Sequence, residues 1–100
     1  MSHHDLCFGC GQANLFGLQL ERGRFFVKQD HQGPGGTAHP GILMAALAEA
    51  TLLAGGDGAH ELRVSLSGRA PVGEFVDVEA DAEHATARVG GEVIAECRRA

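Results

Sequence analysis

The sequence predicts an α+β fold in which a curved antiparallel β-sheet wraps around one long, buried α-helix. The helix is indicated by residues Thr37 to Ala54, because from Ile42 onward only Glu49 is charged and only Thr51 adds another polar group. A surface helix would show a polar face with a period of 3.6 residues. This segment shows none, and strand-like segments flank it. Since a flat sheet shields only one side of a helix, we expect the sheet to curve around it.

The residues before the helix specify its start. His39 is followed by Pro40, a residue favoured at the first helical position. Gly41 then presents its backbone N–H at the positive end of the helix dipole. Such an end is a natural seat for an anion or a developing oxyanion. The same residues also fit a simple helix start after a glycine-rich loop.

Glu49 is the unusual residue of the helix. A carboxylate is costly to bury unless it is paired or hydrogen-bonded, and such groups often have functional roles. Glu49 lies eight residues beyond Gly41, which is ~12 Å along one helix and too far for a shared reacting centre. An antiparallel second copy of the helix would bring the two together, which predicts a two-fold dimer. The alternative is a Glu49 that faces solvent or a salt bridge at a subunit interface.

Two strands are predicted before the helix and three or four after it. Leu62, Val64 and Leu66 alternate with polar residues, as in a half-buried strand. The segments are residues 18–20 and 25–29, joined by a turn at 21–24, then 62–67, 76–82, and a terminal hairpin of 86–89 with 92–98. Residues 31–39 are predicted as a loop, either ligand-binding or mobile, residues 55–60 as a turn, and residues 1–6 as poorly ordered.

Length, charge and cysteine content limit the possible functions. The 100 residues predict a single domain over 1–100, and oligomerisation often supplements the limited core of so short a chain. The net charge of -5 argues against nucleic acid or a membrane surface as a partner. We identify no signal peptide, and the apolar helix is shorter than the ~20 residues that span a bilayer. Three cysteines, an odd number, suggest no disulfide framework and a reducing cytoplasm.

The Cys7-x-x-Cys10 spacing suits half of a zinc site. Two further ligands are needed, and the chain offers only Cys97, His3 and His4, unless a dimer brings two cysteine pairs together. A thioredoxin-like role would require a preceding strand, which is not predicted. We therefore predict no bound metal, with Cys7 and Cys10 as the candidates if one is present. The favoured interpretation is an N-terminal turn whose apolar residues plug the core, namely Cys7, Phe8 and Leu15.

Three stretches carry a resemblance to a known family. Residues 7–18, CFGCGQANLFGL, are similar to a C-F-x-C-G-x-x-N-x-x-G-L opening, and His39-Pro40-Gly41 with its helix is similar to an H-G-G motif before a Leu/Ala-rich helix. Residues 69–73, RAPVG, are similar to an R-P-V-P-x-G-type turn. The chain thus resembles the hotdog-fold thioesterase superfamily, which includes the phenylacetate-pathway acyl-CoA thioesterases.

The resemblance implies a mechanism. Two subunits join sheets edge to edge with their helices antiparallel, and an acyl thioester lies at the interface. The N–H of Gly41 polarises the thioester carbonyl, and a carboxylate from the other subunit's helix acts as general base or nucleophile.

The chain departs from this family pattern at several positions. The family acid lies nine residues after the motif histidine, where this chain has Ala48, and Glu49 is one residue on. One residue rotates a side chain ~100° about a helix, so either Glu49 substitutes through a local shift or the acid is lost. Pro40 removes one N–H donor. Gly33 stands where an Asn or Gln is usual, with Gln32 adjacent.

We therefore predict a cytoplasmic acyl-CoA or acyl-carrier-protein thioesterase that forms a homodimer or a dimer of dimers. It would need no cofactor beyond the coenzyme A of its substrate, and neither nucleic acid nor membrane would be a partner. The alternative is a catalytically silent hotdog module that binds acyl thioesters or serves in assembly. A hydratase is disfavoured because its usual paired His and Asp are not evident. The predicted site residues are Glu49, Gly41 and His39 for catalysis, and Gln32, Pro40, Arg63 and Arg69 for substrate binding.

Overall fold

One helix lies against a curved five-stranded antiparallel sheet in the computed structural model, which describes residues 4–55 and 61–100. The sheet has the strand order β1-β3-β4-β5-β2, and the helix packs on β2 to β5. The elements are β1 (Arg24–Phe26), α1 (Pro40–Leu53), β2 (Leu62–Leu66), β3 (Phe75–Ala80), β4 (His84–Val89) and β5 (Glu92–Arg99), with short 3-10 turns at Gln29–His31 and Pro34–Gly36. The predicted fold class is confirmed.

Burial along α1 follows one helical stripe. The buried residues recur at the spacing of a single helix face, namely Leu43, Ala46, Leu47, Ala50 and Thr51. Thr51 satisfies its hydroxyl by donating to the Ala48 carbonyl at 2.8 Å. Met44 and Leu53 flank this stripe on opposite sides of the helix, since nine residues place them ~180° apart, and they are 45% and 37% exposed. Opposite the stripe, Ala45, Ala48 and Leu52 are apolar and only half-buried. The helix therefore presents a second apolar face that its own sheet does not cover.

Small side chains on the sheet lie in the core with this helix. Ala85 and Ala87 of β4 and Ala95 of β5 are fully buried, and Ala46 and Leu47 of α1 belong to the same core cluster. Alanine has a small side chain, so the helix backbone can approach the sheet closely without leaving voids.

The predicted terminal hairpin is confirmed. The turn between β4 and β5 consists of two glycines of positive φ, as a two-residue hairpin requires.

The N-terminal hairpin is the part of the predicted sheet that is wrong. Residues 18–20 form no strand, and β1 pairs with β3 instead. Gln19 has a φ of 51°, a left-handed conformation that interrupts an extended run. The neighbouring backbone bonds to the N-terminal turn: Leu18 N–H donates to the Phe8 carbonyl at 2.7 Å, and Leu20 N–H to the Gly9 carbonyl at 2.9 Å.

The predicted loop at residues 31–39 is tied to the body of the protein. Its backbone bonds to the segment that resembles the family turn, with Ala38 N–H donating to the Ala70 carbonyl at 2.7 Å and Val72 N–H to the Gly36 carbonyl at 3.0 Å. Part of the predicted turn, residues 56–60, and the start of the predicted poorly ordered segment, residues 1–3, lie outside the described residues.

Candidate functional site

The start of α1 is capped by the side chain of the residue before it. His39 has extended backbone angles, and its Nδ1 accepts a hydrogen bond from the Gly41 N–H at 3.0 Å. The His39 carbonyl accepts from the Ile42 N–H at 2.8 Å. Two of the N–H groups that a helix start leaves without internal partners are thus engaged. The N–H that was predicted to polarise a carbonyl is therefore already hydrogen-bonded to the imidazole.

A cleft of about 450 Å³ opens at this helix start. Its lining combines apolar side chains with the ring of His39 and the guanidinium of Arg69. The lining residues are Pro34, Thr37, Ala38, His39, Pro40, Leu43, Leu66, Gly68 and Arg69. An apolar wall with one cation suits a ligand that has a hydrocarbon part and an anionic part.

The cleft brings some of the predicted site residues together and leaves others out. His39, Pro40 and Arg69 line it, whereas Gln32 and Arg63 are exposed and do not. The backbone of Gln32 pairs with Ala38, so it lies in the adjoining loop. The roles of Gln32 and Arg63 remain predictions.

Glu49 lies two turns further along α1 and does not line this cleft. Its carboxylate is half-buried beneath the N-terminal turn, with its oxygens 3.7 and 3.8 Å from the Cys7 Sγ. One ligand atom each from Cys7, Cys10 and Glu49 lie within 4.8 Å of one another. One chain therefore contains two separate groups: the cleft at His39 and the thiol–carboxylate cluster at Glu49.

The glycines of the CFGCG stretch explain this close approach. A Cβ on Gly9 would lie 2.5 Å from the Cγ of Glu49, so the turn rests directly on the carboxylate side chain. A Cβ on Gly11 would lie 2.4 Å from the Asp5 carbonyl oxygen and the Cys7 nitrogen, so the turn itself closes tightly. At positions 9 and 11, therefore, only glycine fits without movement of the neighbouring atoms.

The residues predicted to plug the core from this segment do not do so. Phe8 is 44% exposed, Leu15 is 70% exposed and Cys7 is only half-buried, whereas Cys10 is fully buried. The short turn leaves no room to fold these large side chains inward, because its backbone is already bonded to residues 18–20. They extend the exposed apolar surface of the chain.

Cys97 and His4, two of the ligands that the sequence suggested for Cys7 and Cys10, do not join them. Cys97 is buried in β5, paired with Ala85 and Val64, and burial raises the pKa of its thiol, which keeps it protonated. His4 Nδ1 accepts from the Leu6 N–H at 3.0 Å, and His3 lies outside the described residues. The third donor is Glu49, which is distant from the cysteines in sequence and lies beside them only in the folded chain.

His31 is a buried polar residue that the sequence analysis missed. Only 2% of it is exposed. Its Nδ1 accepts from the Lys28 N–H at 3.2 Å, so Nε2 carries the proton and donates to the Phe16 carbonyl at 3.1 Å. Its carbonyl accepts from the His39 N–H at 2.9 Å. His31 thus connects the N-terminal segment to the start of the helix.

Among the described residues, no helix is long and apolar enough to cross a membrane. No protein-family model matches the sequence, and no curated protein matches it at a significant level.

Solved structures, by contrast, match it clearly. Zebrafish thioesterase superfamily member 2 is 22% identical over 76% of this chain and 68% of that chain, with a TM-score of 0.53. A variant of the phenylacetic acid degradation protein PaaI from Thermus thermophilus is 22% identical over 76% of this chain and 77% of that chain, with a TM-score of 0.60. A further thioesterase superfamily protein reaches 0.64 at 18% identity, and this chain spans 45% of its length. The hotdog fold and the resemblance to thioesterase superfamily structures are confirmed.

The contact between Gly9 and Glu49 is testable by a double-mutant cycle. Gly9→Ala forces a methyl group into the Glu49 side chain and should lower the free energy of unfolding by about 1–3 kcal/mol. In a Glu49→Ala background the obstructing atoms are gone, so the same substitution should cost much less. Urea unfolding of the four proteins measures the coupling. Equal costs of Gly9→Ala in both backgrounds would show that the turn does not rest on Glu49.

Proposed function

We propose that the protein is a thioester hydrolase that cleaves acyl-CoA or acyl-carrier-protein thioesters at the interface of a homodimer. The observation that carries the proposal is the partly apolar cleft at the start of α1, which is lined by His39, the residue whose imidazole caps the Gly41 N–H. The fold adds support, because the similar structures are described as thioesterase superfamily proteins. The cytoplasm is the proposed location, supported by three cysteines that form no disulfide with one another.

The dimer is required by the separation of the two groups. Gly41 and Glu49 are ~12 Å apart on one helix, and Glu49 does not line the cleft of its own chain. A partner helix packed antiparallel on the uncovered face of α1 would bring its Glu49 toward Gly41. The half-buried Ala45, Ala48 and Leu52 lie on that face and supply apolar surface for the contact.

The proposed reaction is attack of water on the thioester carbonyl carbon. As the water oxygen bonds to that carbon, Glu49 of the partner subunit accepts a proton from the water. The Gly41 N–H, released from the His39 ring, donates to the oxyanion that forms. The C–S bond then breaks, the thiolate leaves and takes up a proton, and the products are a carboxylic acid and a free thiol.

The arginine of the cleft suits the nucleotide end of coenzyme A. Arg69 is exposed at the cleft wall beside Gly35, where its planar guanidinium can donate two parallel hydrogen bonds to a phosphate. Pro40 and the apolar lining would contact the acyl or pantetheine chain. Gln32 and Arg63, outside the cleft, are proposed as peripheral contacts.

A catalytically silent module that binds acyl thioesters is the second candidate. Two observations favour it: Ala48 occupies the position of the family acid, and the carboxylate of Glu49 is partly covered by the N-terminal turn. A covered carboxylate is less accessible to water than an open one.

Removal of the carboxylate distinguishes these candidates. Glu49→Gln and Glu49→Ala should each lower kcat by about 10²-fold or more if Glu49 takes a proton from water. Thiol release from short, aromatic and long acyl-CoAs is the measurement, and Glu74→Gln, at an exposed turn, is the control. Turnover that survives both changes would refute the role of Glu49. No turnover of any substrate by a folded dimer would favour the silent module.

Arg69 should affect binding rather than chemistry. Arg69→Ala should raise KM for acyl-CoA by about tenfold, because a charge-assisted hydrogen bond is worth about 1.5–3 kcal/mol. It should change little with a thioester that lacks the nucleotide. Arg22→Ala, at an exposed turn, is the control. An equal effect on both substrates would exclude nucleotide recognition by Arg69.

The uncovered helix face should hold the dimer together. Met44→Glu places a charge at one margin of that face and should shift a dimer toward monomers while leaving the fold of each chain intact, because Met44 is 45% exposed in one chain. Light scattering gives the mass and circular dichroism the fold. Ala82→Glu, in the exposed connection between β3 and β4, is the control. A Met44→Glu protein that stays dimeric would place the interface elsewhere.

A further inference from the structure

We propose that Cys7, Cys10 and Glu49 form a binding site for a zinc ion. Each side chain offers one ligand atom, and the atoms lie within 4.8 Å of one another. Cys10 is fully buried, while Cys7 and Glu49 are half-buried. The site thus has a shielded side formed by the core and an open side that an ion can enter.

The distances between the Cys7 sulfur and the Glu49 oxygens fit tetrahedral coordination of one ion. Zinc binds thiolate sulfur at ~2.3 Å and carboxylate oxygen at ~2.0–2.2 Å. Around a tetrahedral ion, such bonds put a sulfur about 3.6 Å from an oxygen and about 3.8 Å from a second sulfur. The Sγ of Cys7 is 3.7 and 3.8 Å from the two oxygens of Glu49. These atoms need to move only slightly to share an ion.

The backbone holds the two cysteines in place. The Gly11 N–H donates to the Cys7 carbonyl at 2.9 Å and closes the turn, and the carbonyls of Phe8 and Gly9 accept hydrogen bonds from residues 18 and 20. The absence of a side chain at Gly9 lets the turn settle on Glu49. Because the backbone already fixes the turn over the carboxylate, an ion would bind with little ordering of the chain.

The donor set selects the metal. Thiolate ligands favour zinc and other soft or borderline ions, whereas magnesium and calcium require oxygen ligands. Two sulfurs, one carboxylate oxygen and an open fourth position match the pattern of zinc sites that keep a place for water or an exchangeable ligand. Binding requires both thiols as thiolates, so zinc uptake releases protons.

Zinc at this site would also control the carboxylate. A carboxylate that coordinates zinc has one lone pair engaged, and the charge of the ion lowers the basicity of the whole group, so it is a much weaker base toward water. If Glu49 is the base, as in the proposed function on which this consequence rests, bound zinc inhibits hydrolysis and chelation restores it. The binding site itself does not depend on that activity.

The site is tested by metal titration of the reduced, metal-free protein. The expected result is one Zn²⁺ per chain, with affinity lowered by about tenfold or more in Cys7→Ser, Cys10→Ser and Glu49→Gln, because each removes one of three ligands. Cys97→Ser should bind zinc as the wild type does, since Cys97 lies in the sheet outside the cluster. Cobalt(II) should give a thiolate-to-metal charge-transfer band with the wild type. This measurement does not require any variant to fold.

Three results would contradict the proposed zinc site. Absence of the cobalt band in the reduced wild type would overturn the site, as would a Cys7–Cys10 disulfide that forms in air with no zinc uptake after reduction. Zinc binding that survives Cys7→Ser and disappears in a His3→Ala/His4→Ala double variant would assign the metal to the histidines instead. Thioester hydrolysis is assayed separately, so a protein without activity can still confirm or refute the metal site.

Discussion

A helix of 14 residues that is apolar on nearly every side cannot be covered by one five-stranded sheet. The sheet takes one stripe of α1 and leaves Met44 and Leu53 exposed in the single chain. Exposed apolar surface costs roughly 25 cal/mol per Å² relative to burial, which favours a second cover for that face. Glu49 is half-buried and lies on the same helix, so the surface that meets α1 bears directly on the environment of its carboxylate.

Polar bonds attach the N-terminal segment to this core, in addition to the apolar packing of Leu18 and Leu20. Lys28 Nζ donates to the carbonyls of Leu15 and Gly17 and to the Gln19 Oε1, at 2.6 to 2.9 Å. His31, a few residues later, bonds to the same segment and to the backbone of His39. The turn over Glu49 and the cap of the helix are therefore connected through residues 28–31. A change at either end can reach the other through a short chain of hydrogen bonds.

The sequence predicted the architecture well because its signals are periodic. Alternation in β2 and β3, the Gly90-Gly91 turn and the apolar run of α1 each act over neighbouring residues, and each prediction is confirmed. The 18–20 strand failed because its extended run ends at Gln19, which takes a left-handed conformation that nothing in its own chemistry requires.

The candidate site was predicted less completely. His39, Pro40 and Arg69 were found because they belong to local motifs, and they share one cleft. The contact of Glu49 with Cys7 joins residues 42 positions apart, and no spacing rule covers such a pair. The one local sign was Gly9, the glycine between the two cysteines, where a side chain would meet Glu49. His31 was missed because a histidine in a glycine-rich loop gives no indication of burial.

The cap at the helix start makes one backbone amide depend on the position of one side chain. The Nδ1 of His39 accepts the Gly41 N–H, and His39 also lines the cleft. A ligand that displaced the ring would release this amide donor, and the loss of such a cap typically costs a helix about 1 kcal/mol. The cap therefore favours ligands that can replace its hydrogen bond to Gly41.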